Sequence, residues 1–180
     1  MNLHEYQAKQ LFRSHAIAVP DGVVVTTPAA AEAACGELGG PQWVLKAQVH
    51  AGGRGKAGGV LRLTSAQEVA RESARLLGSR LVTAQTGPAG LPVGQLLVER
   101  PTPIARELYL SLLLDRDAEQ LLFVASAAGG MEIERLAAES PERILFVRVH
   151  PAVGVRPYQV RRLGVELGGA GTRSECLGVM

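Results

Sequence analysis

Cysteine is scarce in this sequence of 180 residues, which contains only Cys35 and Cys176. Two distant cysteines without local partners exclude a disulfide framework and a cysteine-type metal site, and they indicate a reducing compartment. No apolar run approaches the roughly 18 residues of a membrane-spanning helix. The polar start, Met1 to Tyr6, lacks the basic and apolar regions of a secretory signal. We therefore expect a cytoplasmic protein with no membrane partner.

The sequence also lacks a large excess of either charge. It has 19 Lys and Arg residues and 17 Asp and Glu residues, which give a net charge of +2. A dedicated nucleic-acid-binding protein would show a strong basic excess, so we expect no nucleic-acid partner. Charged residues make up 20% and hydrophobic residues 47% of the sequence, a balance that excludes a disordered chain. The length suits one ordinary domain or two small lobes.

Hydrophobic periodicity predicts a mixture of helices and strands, so the expected class is α/β or α+β. Capping signals place three helix starts: Asn2 before Glu5, Thr27 before a proline, and Ser65 before Glu68. The Pro-containing stretch over 100–103 is the best boundary between two mixed lobes. Helices are predicted over 3–14, 28–38, 65–78, 131–139 and 157–167, and strands over 23–25, 43–49, 60–63, 96–98, 107–114, 120–126 and 144–149.

A glycine-rich segment, Gly53 to Gly58, matches the pattern G-x-G-x-x-G. A dinucleotide-binding fold would need a helix after this loop and an acidic residue about 20 positions on, and both are missing. A P-loop would need a hydroxyl after Lys56, where Ala57 stands. A protein kinase would carry its lysine after the loop and would show H-R-D and D-F-G motifs, which are missing too.

What remains is a glycine-rich loop between two strands, a form that can fold over a triphosphate. Glycines let backbone N–H groups approach phosphate oxygens closely. Lys46 lies on the incoming strand, and Arg54 and Lys56 add charge in the loop. The sequence has 3 lysines against 16 arginines, and two of the three lie here. The alternative is a mobile surface hairpin with solvated charges.

Two carboxylates, Glu99 and Glu107, flank the Pro-containing stretch. A carboxylate accepts hydrogen bonds only, which suits the amino group of adenine and the hydroxyls of ribose. Solvated glutamates at strand ends are the alternative. Among the histidines, only His50, at the loop entrance, is a site candidate.

Four segments resemble the beta subunit of the ADP-forming succinate–CoA ligases, an ATP-grasp family. They are Met1–Lys9, Val44–Val60, Ile104–Leu110 and Gly129–Glu134. The resemblance implies an ATP-grasp fold of two mixed α/β lobes, with a glycine-rich β-hairpin loop and an incomplete second lobe. Malate–CoA ligase beta subunits and part of ATP-citrate lyase are close alternatives.

The resemblance implies an ATP site and a reaction. Lys46 and the stretch Gly53, Arg54 and Gly55 would bind phosphates, Glu99 and the Thr102 backbone would contact the purine, and Glu107 would bind the ribose. ATP, succinate and CoA would give ADP, phosphate and succinyl-CoA, with phosphate passing through a histidine of a partner alpha subunit in the bacterial cytoplasm. No residue of this chain is expected to be catalytic. The sequence does not decide between ATP and GTP as the nucleotide, or between succinate and malate as the acid substrate.

The resemblance also predicts the domain organisation. Residues 1–20 would form a helix packing on the second lobe, 21–100 the N-terminal lobe, and 101–167 a partial C-terminal lobe. The tail over 168–180 does not resemble the family, whose members continue with magnesium ligands and a CoA-ligase domain. We therefore expect a truncated or frame-shifted chain without magnesium ligands. A catalytically inactive nucleotide-binding or interaction fragment is the alternative function.

Overall fold

The structure, a computed structural model, describes residues 2–131 and 133–168. The chain divides into two compact units, Met1–Pro103 and Ile104–Met180, with the division at the end of the Pro-containing stretch. The first unit contains α1 (Glu5–Ser14), β1 (Gly22–Val25), α2 (Pro28–Leu38), β2 (Trp43–Ala47), β3 (Val60–Leu63), α3 (Ala66–Leu76), β4 (Arg80–Leu81), β5 (Leu91–Pro92) and β6 (Leu96–Glu99). The second contains β7 (Tyr109–Asp115), β8 (Gln120–Ser126), α4 (Ile133–Glu139), a 3₁₀ turn (Pro141–Arg143), β9 (Leu145–Val149) and α5 (Pro157–Gly168).

The first unit is built on a four-stranded antiparallel sheet of order β1-β6-β2-β3. Because side chains alternate along a strand, Trp43, Leu45 and Ala47 of β2 share one face with Leu96 and Val98 of β6. That face packs with α2 and α3 in one apolar core. Val44, Lys46, Leu97 and Glu99 therefore share the opposite face of the sheet.

Two of the predicted helix starts are confirmed, and one is wrong. The Thr27 hydroxyl accepts a hydrogen bond from the Ala30 N–H at 3.2 Å, and Ser65 accepts one from Glu68 at 3.1 Å. Asn2 does not cap α1, which follows His4 instead. The Glu5 side chain, expected to complete the Asn2 capping box, contacts cationic side chains elsewhere in the first unit.

Helix α1 contacts the rest of the first unit through charged side chains. Its Glu5 and Lys9 side chains form ion pairs with Lys46, Arg54 and Glu99, and the packing of residues 1–20 on the second lobe stays a prediction. Leu11 and Phe12, on the apolar face, are 51% and 47% exposed. The polar face of α1, which carries Glu5 and Lys9, therefore lies against the sheet.

A short ribbon of β4 and β5 was not predicted. Each strand has only two residues, which is too short to show the alternation that predicts a strand. The ribbon carries Leu81 into the core of the first unit, and Gln85, in the loop that connects its strands, accepts a hydrogen bond from the Gly52 N–H just before the glycine-rich segment.

The second unit is a three-stranded antiparallel sheet of order β7-β8-β9, with α4 and α5. The predicted hairpin of β7 and β8 is confirmed, and the Ala118 N–H donates to Asp115 Oδ1 at 3.1 Å across its turn. Val124, Leu136 and Ile144 form its core cluster. Across the described part of the chain, no helix has the length and apolar character to cross a membrane.

Candidate functional site

Lys46 projects from the sheet face opposite α2 and α3. In the β2–β6 register, Lys46 is paired with Leu97, and Val44 is paired with Glu99. Lys46 and Glu99 are therefore diagonal neighbours on one face, a spacing that long side chains can bridge. The Lys46 Nζ atom lies 2.5 Å from Glu99 Oε2.

A cluster of five charged side chains forms around this pair, and we call it the charge cluster: Glu5, Lys9, Lys46, Arg54 and Glu99. The Lys46 ammonium also donates to Glu5 Oε1 at 3.0 Å. Lys9, one helical turn after Glu5, contacts Glu5 Oε1 at 2.9 Å and also contacts Glu99. Three cations thus share two carboxylates.

Arg54 brings the glycine-rich loop into the charge cluster. Its Nη2 atom lies 2.6 Å from Glu5 Oε2, and its Nη1 atom donates to the Ala47 carbonyl at 2.7 Å. The loop therefore folds back over the end of β2. As a result, the Lys46 ammonium and the Arg54 guanidinium both lie within hydrogen-bond distance of one carboxylate.

The glycine-rich loop joins two paired strands, as predicted, because Lys46 is in register with Val60 across β2 and β3. Within the loop, Ala57 donates to the Gly53 carbonyl at 3.2 Å and Gly59 donates to the Arg54 carbonyl at 2.8 Å. Among the residues that the structure describes, no hydrogen bond uses the N–H groups of Gly53, Arg54 and Gly55. These three donors belong to the predicted phosphate-binding stretch.

The loop glycines have different structural roles. Gly53 has a φ of 73°, a conformation that residues with a Cβ rarely adopt. Gly55 has neither a positive φ nor any atom within 4 Å of an added Cβ. The backbone conformation therefore favours glycine at position 53 but leaves the glycine at position 55 without a steric explanation.

Opposite charges dominate the ionisation of the cluster. Burial alone would raise the pKa of Glu5, but the hydrogen bond from Lys9, the charge of Lys46 and the hydrogen bond from Arg54 lower that pKa to about 2. Burial alone would lower the pKa of Lys46, but the hydrogen bond to Glu99 and the Glu5 carboxylate raise it. At neutral pH both groups are charged.

An open cleft of about 520 Å³ lies beside the charge cluster, lined by Asn2, Leu3, Glu5, Val49, His50, Ala51, Gly52, Arg54 and Gln85. His50 stacks on His4, with ring centroids 3.9 Å apart. Burial, then His50, then Arg54 lower the pKa of His4, which keeps its ring neutral. The candidate residue His50 therefore lines the cleft, next to the loop.

Two other predicted site residues, Thr102 and Glu107, are not members of the charge cluster. Thr102 is exposed and follows β6 in the first unit. Glu107 belongs to the second unit, where its carbonyl accepts a hydrogen bond from Gly129 at 3.1 Å. The structure thus brings together Lys46, Arg54 and Glu99, and the nucleoside contacts of Glu99, Thr102 and Glu107 stay predictions.

Glu5 and Lys9 belong to the cluster, but the sequence reasoning missed them. We assigned Glu5 to a helix cap and gave Lys9 no role. The scarcity of lysine, which drew attention to Lys46 and Lys56, applied equally to Lys9. The spacing of Glu5 and Lys9, four residues apart on a helix, was a second signal.

The family model of the ATP-grasp domain matches residues 2–176. The match extends past Leu167, where we expected the likeness to end. The predicted divergent tail lies outside the described residues from residue 169 onward.

Curated relatives are beta subunits of ADP-forming succinate–CoA ligases. The protein of Thioalkalivibrio sulfidiphilus is 57% identical over 177 residues, which are 98% of this chain and 46% of the relative. The protein of Halorhodospira halophila is 57% identical over 168 residues, 93% of this chain and 43% of the relative. The chain therefore spans less than half the length of these relatives.

Solved structures share the fold at low identity. The dinucleotide-forming acetyl-coenzyme A synthetase 1 of Ca. Korarchaeum cryptofilum, in complex with coenzyme A and Ca-AMPCP, matches with a TM-score of 0.63 at 22% identity, over 89% of this chain and 64% of that one. The ATP citrate lyase of Methanothrix soehngenii matches with a TM-score of 0.62 at 22% identity, over 85% of this chain and 36% of that one. The solved structures show the shared fold, the identity of 57% shows a relationship in sequence to succinate–CoA ligase beta subunits, and the match of the family model over residues 2–176 establishes that the chain belongs to the ATP-grasp family.

Proposed function

We propose that this chain supplies the nucleotide-binding part of an ADP-forming succinate–CoA ligase beta subunit. The observation that carries the proposal is the meeting of Lys46 and Arg54 on one carboxylate, with Arg54 in a loop stretch whose three backbone N–H groups make no hydrogen bond within the described residues. The identity of 57% to the named beta subunits supports ATP as the nucleotide.

Each group has a distinct role toward a triphosphate. The Lys46 ammonium acts as a compact point charge, and the Arg54 guanidinium offers paired donors that match phosphate oxygens. The N–H groups of Gly53, Arg54 and Gly55 add donors that need no side chain. Glu99 holds the Lys46 ammonium over the sheet. Catalysis by such a site would consist of positioning and charge neutralisation, not of a side-chain nucleophile.

The complete reaction and its partners are part of the same proposal. ATP, succinate and CoA would be converted reversibly to ADP, phosphate and succinyl-CoA, in the cytoplasm and together with an alpha subunit that carries the phosphate on a histidine. The resemblance to the beta subunits supports this assignment. The charge cluster accounts for the nucleotide step alone, and we assign no succinate or CoA contact to the described residues.

The charge cluster does not fit a magnesium ion. Magnesium prefers oxygen ligands that are not already neutralised, whereas both carboxylates of the cluster contact lysine or arginine nitrogens. Across residues 2–131 and 133–168, no group of three or more acidic, histidine or cysteine side chains is placed to hold a metal. We therefore propose that magnesium would arrive with ATP and assign it no ligand here.

A matched pair of lysine variants tests the proposal by isothermal titration calorimetry with ATP and magnesium. Lys46 and Lys9 are equally buried, at 19% and 20% side-chain exposure, and both contact Glu5 and Glu99. Only Lys46 lies on the strand that leads into the glycine-rich loop. We expect Lys46→Met to weaken ATP binding at least about tenfold, and Lys9→Met to weaken it less.

Equal effects of the two substitutions would mean that ATP senses only the total charge of the cluster. No heat from the unmodified chain at millimolar ATP would remove the nucleotide-binding role itself. Circular dichroism of both variants shows whether a loss of binding comes from a loss of folding.

A further inference from the structure

The Glu5 carboxylate occupies the position in the charge cluster that a bound phosphate group would need. One of its oxygens contacts the Lys46 ammonium at 3.0 Å, and the other contacts the Arg54 guanidinium at 2.6 Å. These are the two cations that the proposed function assigns to the triphosphate. A carboxylate that spans two cations with its two oxygens makes the same contacts as two phosphate oxygens would.

The contacts of Glu5 and those of a triphosphate exclude each other in part. An ammonium and a guanidinium with side-chain exposures of 19% and 20% have little room for a second anion. A triphosphate that shared the cluster with Glu5 would also meet its negative charge at close range, where repulsion is strong. Glu5 must therefore withdraw, at least from Arg54, before phosphate oxygens can take its place.

Helix α1 is attached in a way that allows such a withdrawal. It buries no residue, and none of its side chains belongs to the apolar core of the first unit. Its contacts with other elements include the ion pairs of Glu5 and Lys9 and the hydrogen bond from the Tyr6 N–H to Gln48 Oε1 at 3.2 Å. Ion pairs of this kind can be exchanged for pairs with another anion, whereas a buried apolar face cannot.

We propose that Glu5 is an internal counter-anion that holds Lys46 and Arg54 in place in the nucleotide-free chain and is displaced by the phosphates of the nucleotide. This inference rests on the proposed function and adds a competitor at the same site. Glu5 thereby keeps the two cations close together and lowers the apparent affinity for triphosphate. Its displacement releases the start of α1 from the loop.

The test compares Glu5→Gln with the unmodified chain, using ATP, inorganic tripolyphosphate and adenosine in calorimetry. Glu72→Gln serves as the matched control, because it also removes one helix carboxylate paired with arginine, on α3. We expect Glu5→Gln to bind ATP and tripolyphosphate about tenfold more tightly. Adenosine binding should stay unchanged, and the control should stay within about twofold of the unmodified chain for all three ligands.

Thermal melting separates competition from a purely structural role. Glu5→Gln loses its ion pairs and should melt at a lower temperature while binding tripolyphosphate more tightly. Lower stability with unchanged or weaker binding would overturn the inference and make Glu5 a structural residue only. If the unmodified chain and Glu5→Gln both fail to bind ATP and tripolyphosphate, the proposed function fails together with the inference.

If Glu5→Gln does not fold, a second variant tests the same inference. Glu5→Asp retains the charge but shortens the side chain, so the carboxylate cannot span Lys46 and Arg54 in the same way. We expect a smaller gain in tripolyphosphate affinity, about two- to threefold. An affinity equal to that of the unmodified chain would overturn the inference.

Discussion

Glu5 is the residue whose charge should be most visible in the stability of this protein. Its pKa falls from an ordinary value of 4.5 to about 2 through contacts with Lys9, Lys46 and Arg54. A carboxylate with a lowered pKa stabilises the fold above its unfolded pKa, and that stabilisation is lost as the pH falls. We predict a contribution of at most about 3 kcal/mol at pH 7, lost between about pH 5 and pH 2.

Urea unfolding between pH 7 and pH 2 measures this loss. The difference in unfolding free energy between the unmodified chain and Glu5→Gln should shrink as the pH falls from about 5 to 2, since Glu5 is then increasingly protonated, first in the unfolded and then in the folded chain. A difference that stays constant across this range would show that the pairing of Glu5 contributes little.

The same substitution at two glycines of the loop should affect stability to different extents. Gly53 has a φ of 73°, so Gly53→Ala should lower the free energy of unfolding by about 1–2 kcal/mol. Gly55 has no such φ and has open space around it, so Gly55→Ala should change stability by less than about 1 kcal/mol. If Gly55 serves phosphate approach, Gly55→Ala should nevertheless weaken ATP binding.

Gly58 provides the control for this pair, because it has the same φ of 73° and lies outside the predicted phosphate-binding stretch. Gly58→Ala should reduce stability as Gly53→Ala does, with a smaller effect on ATP binding. Chemical denaturation and calorimetry on the three variants check both quantities. Full ATP affinity in Gly55→Ala would show that phosphate approach at that position does not need a glycine.

Single residues were predictable from the sequence where the signal was local. Lys46 and Arg54 lie in or next to a glycine-rich segment between two strand patterns, and the structure brings their charged groups together. Glu5 and Lys9 reach the same place across 41 and 90 positions of sequence. No local pattern encodes such contacts, because they depend on how α1 lies against the sheet.

At the scale of elements, helix starts with a side-chain cap were predictable, and the face of α1 that contacts the sheet was not. Thr27 and Ser65 accept hydrogen bonds from the first turn of their helices, as their sequence patterns indicated. The apolar face of α1 suggested burial of Leu11 and Phe12, yet both are exposed. The side chains through which α1 contacts the sheet include the charged Glu5 and Lys9.

The attachment of α1 by charges predicts that it opens more easily than α3. Helix α3 buries Val69, Ser73 and Leu76, whereas α1 buries no residue. Native-state hydrogen exchange should show lower protection for α1 amides than for α3 amides. The protection of α1 should fall further in 1 M salt, which screens ion pairs. Equal protection of the two helices would contradict the polar attachment.

At the scale of the whole molecule, the family and the mixed fold were predictable because four separate segments carried the resemblance. The chain divides after Pro103, at the end of the Pro-containing stretch over 100–103. The short ribbon of β4 and β5 escaped prediction because two-residue strands have no detectable period. The chain spans 43–46% of the relatives cited, so the succinate and CoA steps rest on proposal alone.

The central claim is that the glycine-rich loop holds a triphosphate through backbone N–H groups beside Lys46. Nitrogen-15 NMR during titration with ATP, tripolyphosphate and adenosine tests it most directly, since each backbone N–H reports separately. We predict saturable shifts of the Gly53, Arg54 and Gly55 signals with ATP and with tripolyphosphate, and small shifts with adenosine. Saturation with ATP while these three signals stay unmoved would contradict the account.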